Sequence, residues 1–472
     1  MSAENRPVKE LIAVSPIDGR YQEDTKELSP YCSEMALIKT RSEIEAKYII
    51  TLSEFNVIRP LTDKEREFLS NFGPNMSIEQ IQRVKKIEDI THHDVKAMER
   101  GFRESIKDTS LEDLTEAIHF SLTSEDINNL CSRLMLNRAR KDIFVPHLNT
   151  ITDNLIEKAQ QYKSIPMLAR THGQAAVPTT LGKEMANIAI RLDGQTRKME
   201  KIELTGKLNG AVGNFNAHSF AVPEVDWINL SQKFIKSLGL KPNLYTTQIN
   251  PYEDMIEVYQ SFLRINGVLS DANQDFWRYI SDNWFIQKIT EGQVGSSAMP
   301  QKVNPINFEN SEGNLSLANA LWGEATRKLA VSRLQRDLSD STFNRGLNEA
   351  LAHQLIAYKN SLKGLRKIYP NEEKIKESLN ENWTILSEGV QTVLRCVNLK
   401  NPNSIKDPYS LIANLSKGKQ IRSNEWKEWV NTLEIDSEIK AKLQNLSPEN
   451  YIGYAKKLTE MAIEEIKESR KL

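Results

Sequence analysis

Apolar residues between positions 255 and 289 recur at alternating spacings of three and four: Met255, Val258, Phe262, Ile265, Leu269, Ala272, Phe276, Tyr279 and Ile286, with Asn283 interrupting. This is the repeat of one helical face, and it predicts a single long helix of about 50 Å at 1.5 Å per residue. A second stripe, Ile256, Tyr259, Leu263, Trp277, Ile280 and Trp284, runs beside the first. A helix with two apolar seams must be covered on more than one side. Similar spacing in Leu181, Met185, Ile188, Leu192, Met199 and Ile202, and weaker spacing in Phe308, Leu315, Ala318, Trp322, Ala325 and Leu329, adds further long helices and so predicts a bundle. One chain covers both seams of every helix poorly, so a homo-oligomer is expected over a large monomeric bundle.

Composition agrees with helix. Glycine (20) and proline (17) are sparse for 472 residues, leaving few positions that break regular structure. Lys+Arg 62 against Asp+Glu 63 gives a formal charge of -1, too balanced for a global field that would hold nucleic acid or an anionic membrane. Any anion site must be local. Cys32, Cys131 and Cys396 are far apart and without CxxC spacing, which argues against a disulfide framework or a zinc site. The opening MSAENRPVKELIAVSP has no apolar stretch of signal-peptide length, and no run approaches a membrane span, so the cytoplasm is the expected compartment. Lys107-Asp108-Thr109-Ser110 and Tyr369-Pro370-Asn371 suggest boundaries, giving an N-terminal helical domain over 1–112, a long-helix domain over 113–368 and a C-terminal domain over 369–472. The last contains shorter, lysine-rich helices broken at Pro402, Pro408 and Pro448.

Several segments interrupt the helical pattern. In 291–307, EGQVGSSAMPQKVNPIN, two glycines and two prolines forbid regular structure and predict a mobile loop carrying Ser296, Ser297 and one cation, Lys302. Such a loop is either an ordinary connection or an anion-binding nest able to stabilise developing negative charge. Arg170-Thr171-His172-Gly173-Gln174 precedes a helix expected to start near Thr180 and supplies one of seven histidines. Histidine is the usual acid or base near neutral pH, although a lone one is more often structural. Thr91-His92-His93-Asp94 sets a carboxylate beside two histidines; metal binding is its weaker reading, since no further ligand completes a site. Thr123-Ser124-Glu125-Asp126 has the form of a capping box, and a helix N-terminus of that kind is also a ready phosphate site. Arg333, Arg336 and Arg345 surround Ser339, Ser341 and Thr342, either as a solvated face or as a second phosphate or carboxylate clamp.

The run Gly295-Ser296-Ser297-Ala298-Met299-Pro300-Gln301-Lys302-Val303-Asn304-Pro305 resembles the signature loop of the fumarase/aspartase superfamily. His93-Asp94-Val95, Thr123-Ser124, Thr171-His172-Gly173-Gln174, Tyr245-Thr246-Thr247-Gln248 and Arg336-Asp337-Leu338-Ser339-Asp340-Ser341 together resemble the adenylosuccinate lyase family, in order and over nearly the whole chain. Ser15-Pro16-Ile17-Asp18-Gly19-Arg20-Tyr21 is similar to its long bacterial-type branch; one departure is Gln301, where that family commonly carries histidine. The resemblance implies an all-α fold in three domains and a homotetramer whose central domains form one long bundle, with sites shared between subunits. It implies elimination of fumarate from two purine nucleotides, with no metal or organic cofactor. Carried over by motif, Ser296 is the base and His172 the acid, with Lys302, Glu309 and His93 in the catalytic set. Arg20, Tyr21, Arg336, Ser341 and Arg345 fall to phosphate and ribose. His93, Asp94, Thr123, Ser124 and Gln248 fall to the succinyl and base parts, His92 to substrate binding, Asn304 to the carbanion, and His119 to support of His172. Another fumarate-releasing lyase of the superfamily, or a catalytically silent scaffold, remain the alternatives.

Overall fold

The computed structural model describes residues 8–288, 299, 302–402, 404–416 and 421–471. Helices carry the fold, as the sparse breakers require. Among the described residues, strands occur as three two-stranded pairs: Pro166–Thr171 with Gln174–Thr180, Phe285–Gln287 with Ile368–Pro370, both antiparallel, and the short parallel pair Thr205–Gly206 with Lys241–Pro242. The chain divides into two compact units, the first holding residues 1–147, 195–267 and 313–359, the second 148–194, 268–312 and 360–472.

The long helices are present: Glu253–Ser281 with 29 residues, Ile306–Lys328 with 23 and Ser339–Lys367 with 29. The first seam of the Glu253–Ser281 helix is buried from Met255 through Phe276. The helix is shorter than its spacing predicts. Asn283 adopts a left-handed conformation (φ 57), and Trp284 N–H reaches back to Tyr279 C=O at 2.8 Å, a Schellman ending. Trp284 and Phe285 are buried, but as the entry to the strand Phe285–Gln287. A short apolar run continues a helical or a strand pattern equally well, so periodicity alone misassigned it.

Polar layers fix the register of these helices. In the first unit Asn266 donates to Asn319 (2.8 Å) and Gln354 (3.1 Å), Trp322 Nε1 donates to Gln354 (2.9 Å), and Tyr358 Oη donates to Asn266 (2.9 Å). In the second, Asn273 Nδ2 donates to Ser311 (2.9 Å), Ser311 and Ser361 share a hydrogen bond of 2.8 Å, and Ser361 Oγ donates to Asn273 Oδ1 (3.1 Å). Sliding any helix by one turn would strand these buried groups, each at a cost of about 1–3 kcal/mol. Apolar stacking fills the space around the first layer, with Tyr259 on Trp322 (4.7 Å between centroids) and Phe144 against Phe262 (5.3 Å).

Candidate functional site

The expected residues fall into both units. In the first, the Ser124–Ala139 helix begins as the capping box predicts, with Thr123 N–H donating to Asp126 Oδ2 at 2.9 Å. Asp126 is more than a cap. It is fully buried and also accepts from Lys207 Nζ (2.8 Å), Asn209 N–H (3.0 Å) and Gly210 N–H (3.2 Å), so one carboxylate ties the helix start to the 207–210 segment. Ser124 and Glu125, next to each other on that helix start, face different cavities.

Ser124 shares a cavity of about 480 Å3 with His93, His119 and Lys96. The two adjacent histidines sit at a junction between helices. His92 ends the Ile78–Thr91 helix in a left-handed conformation (φ 51), and His93 begins the Asp94–Ile106 helix, its Nδ1 accepting from Lys96 N–H at 3.2 Å. An Nδ1 that accepts carries no proton, so a neutral His93 has its proton on Nε2. His119 is held on two atoms by the buried Glu45, through its backbone N–H (3.0 Å) and its ring Nδ1 (2.6 Å). Burial pulls the imidazole pKa down, but the Glu45 carboxylate more than offsets this and raises it above the usual histidine value.

Glu125 lines the second cavity, of about 290 Å3, with Arg336, Ser341, Arg345, Arg41 and Tyr252. Burial pushes the Glu125 carboxyl up to about 7 against the pull of Arg336. Arg336 holds Glu125 Oε2 at 3.3 Å and donates to Gln248 Oε1, also at 3.3 Å; Gln248 in turn donates to Ala211 C=O. Arg345 and Arg41 converge on Asp94, at 3.4 and 2.8 Å. Burial would raise the Asp94 carboxyl, yet the two guanidiniums keep it below its usual value. Ser341 lies in the first turn of the Ser339–Lys367 helix beside Asp340, which accepts from Ser341 N–H (2.7 Å) and Tyr252 Oη (3.0 Å). Arg20 is exposed and Tyr21 half-buried in the segment before the Gln22–Thr25 helix; neither they nor His92 line these two cavities.

The second unit holds His172, Lys302, Asn304 and Glu309. His172 does not lie in a plain loop before a helix. With Gly173 it forms the two-residue turn of a β-hairpin, Thr171 pairing with Gln174 and both turn residues at positive φ (53 and 76). Such a turn matches strand twist and is satisfied by glycine and tolerated by histidine. It projects His172 into solvent at the hairpin tip. The following helix starts at Leu181, capped by Thr180 Oγ1 accepting from Lys183 N–H at 3.2 Å. Glu309, in the first turn of the Ile306–Lys328 helix, accepts from Trp277 Nε1 at 3.0 Å. Lys302 is exposed and Asn304 half-buried. Ser296, Gln301 and most of the loop predicted over 291–307 lie outside the described residues.

Sequence reasoning missed Arg41, Tyr252 and Lys207, and it read Glu125 only as part of a cap. Arg41 sits among Thr40, Ser42, Glu43 and Glu45 on a helix that buries all five, and a run of polar and charged residues does not announce in the sequence that it will be buried.

Residues 52–319 match a family model described as lyase, and residues 332–452 match one described as adenylosuccinate lyase C-terminal. The fold is that of the 3-carboxy-cis,cis-muconate lactonizing enzyme from Pseudomonas putida, with a TM-score of 0.73 and 14% identity over 94% of this chain and 98% of that one. It is equally that of a fumarate lyase from Mesorhizobium sp. BNC1 (TM-score 0.74, 14% identity, 93% and 97% covered). Long-helix architecture and lyase model together define the class, a lyase of the fumarase/aspartase superfamily. Adenylosuccinate lyase of Haemophilus influenzae is 42% identical over 454 residues, covering 95% of this chain and 98% of that protein. The Escherichia coli K12 enzyme of the same name is 43% identical over 449 residues, with 94% and 97% covered. The chain belongs to the adenylosuccinate lyase family. It is thus a carbon–nitrogen lyase that releases fumarate, and neither alternative kept from the sequence is favoured.

Proposed function

We propose that this chain eliminates fumarate from adenylosuccinate, giving AMP, and from succinyl-aminoimidazole carboxamide ribotide, giving the carboxamide ribotide. Ser296 takes a proton from the succinyl carbon next to a carboxylate. The electron pair left behind becomes the fumarate double bond as the C–N bond breaks, and His172 gives its proton to the departing nitrogen. Before that break, charge spreads onto the neighbouring carboxylate, where Lys302 and Asn304 offset it. Glu309 orients His172, with His119 in support. His93, Asp94, Thr123, Ser124 and Gln248 hold the succinyl and base parts, Arg20, Tyr21, Arg336, Ser341 and Arg345 the ribose phosphate, and His92 also binds substrate. Likeness at 42–43% over nearly the whole of both chains carries the reading of the activity. The phosphate assignment is supported by the cavity in which Arg336, Arg345 and Ser341 meet at a helix start, an arrangement suited to a dianion.

The working form is a homotetramer in the cytoplasm with sites shared between subunits, built from domains over 1–112, 113–368 and 369–472. Supporting it, the second seam of the Glu253–Ser281 helix stays partly uncovered, with Trp277 42% exposed and Ile256, Leu263 and Ile280 half-buried. Among the described residues, no helix is long and apolar enough to cross a membrane. Incubating the purified protein with adenylosuccinate should release fumarate, and native mass spectrometry should find four chains. Release from argininosuccinate or malate in place of adenylosuccinate would move the chain to another branch; no release from any of the three would leave a silent scaffold.

A further inference from the structure

Arg336 lies between two long helices, in a segment with no regular structure, beside Leu334, which has a left-handed backbone (φ 53) and an exposed side chain. Its own backbone therefore does little to aim the guanidinium. Two side chains do: Glu125 Oε2 and Gln248 Oε1, each at 3.3 Å. With those contacts made, each terminal nitrogen of the guanidinium keeps a second N–H, and Arg336 is among the residues that line the cavity; its Nε is buried and has no partner among the described residues.

Glu125 is an unusual choice for such a wall. It is 3% exposed, and a carboxylate so deep is expensive unless paired. The other cations near it are already engaged. Arg133 is held by Asp254 at 2.9 Å, and Lys207 by Asp126 at 2.8 Å. Arg336 is the cation that remains for it. The pair is not an economical way to stabilise the fold, because burial outweighs the attraction and leaves the Glu125 carboxyl at about 7. Its backbone, by contrast, is well anchored, since the helix start is tied down through Thr123, Asp126 and Lys207. A rigid carboxylate thus faces an arginine on an irregular segment.

We infer that Glu125 is a positioning residue, one that holds the Arg336 guanidinium in place so that its remaining terminal N–H groups meet an anionic group of the substrate. This rests on the proposed assignment of Arg336 to the nucleotide. Glu125 touches no reacting atom in this role. It restricts Arg336 before substrate arrives, so its contribution appears in binding and not in the chemical step.

The test is steady-state kinetics with adenylosuccinate for Glu125→Gln, Arg336→Ala and the double variant. Glutamine keeps the shape and one acceptor but removes the charge, and each single change should raise KM roughly tenfold, as loss of a charge-assisted hydrogen bond would. kcat should stay within about threefold of wild type. In the double variant KM should match Arg336→Ala alone, because with no guanidinium to aim, Glu125 has nothing left to do. Glu125→Asp keeps the charge at the same helix position and should lie between wild type and Glu125→Gln; it carries the same cycle if Glu125→Gln does not fold. Effects of the two residues that multiply in the double variant would overturn the inference, as would a kcat loss at constant KM, which would make Glu125 a catalytic group. If Arg336→Ala itself leaves KM unchanged, the assignment of Arg336 to substrate fails, and the role of Glu125 fails with it.

Discussion

Replacing Lys207 by methionine should unfold the molecule far more readily than a change of one polar side chain normally does. Lys207 and Asp126 are both fully buried, with Nζ 2.8 Å from Oδ1 and 2.7 Å from the Gly210 carbonyl oxygen. Breaking a buried pair from one side leaves an uncompensated charge, at about 3–5 kcal/mol. In Lys207→Met the carboxylate keeps three backbone donors, from Thr123, Asn209 and Gly210, which places the loss near 3 kcal/mol, the low end of that range. Asp126→Asn instead leaves an ammonium with the Gly210 carbonyl as its strongest remaining contact, which places the loss nearer 5 kcal/mol. The double variant holds neither charge, and its asparagine oxygen can still accept from the backbone donors. It should therefore be more stable than the sum of the single losses by about 2–3 kcal/mol. Urea unfolding followed by circular dichroism measures all four proteins, at one protein concentration because association shifts apparent stability. Single losses below about 1 kcal/mol, or losses that simply add in the double variant, would show that the pair is not the buried ionic hub described above.

His172→Ala and Ser296→Ala should each lower turnover by roughly 10²–10⁴ with circular dichroism unchanged, since each removes one proton-transfer partner. Dissociated and reassembled as a 1:1 mixture, the two inactive proteins should regain about a quarter of the intact sites if each site draws the two residues from different subunits; a mixture that stays inactive would place both residues on one chain. Turnover should persist in a metal chelator, and a loss reversed by added metal would show that His92 and His93 had been misread. His119, raised by Glu45, contributes stability in full below its unfolded value near 6.5 and loses it as the pH rises through the folded value. The stability gap between wild type and Glu45→Gln, read as thermal midpoints, should therefore narrow as pH climbs above about 6.5, and a constant gap would mean the Glu45 contact is not ionic.

What the sequence by itself determined is local in character. Heptad-like spacing from Met255 to Phe276 requires a long helix because no other element returns to one face at that interval, and the structure has it. The Thr123–Asp126 cap was legible because a capping box involves residues three apart. The motif residues around His172, Arg336 and Ser341 were legible as a family pattern, and the chain belongs to that family. Three-dimensional contacts decided the rest. The helix stops at Ser281 and not near 289 because Phe285–Gln287 finds a strand partner at Ile368–Pro370, more than eighty residues away. His172 sits on a hairpin tip because Pro166–Thr171 and Gln174–Thr180 pair, where the sequence showed only a break in the helical pattern before the next helix. Asp126 looks like a cap until Lys207 arrives beside it, and Glu125 looks like a helix-favouring first-turn acid until Arg336 does. Spacing along a chain encodes which residues share a face; it does not encode which distant charge will be buried against which. That pairing depends on how the helices pack, which no local spacing records.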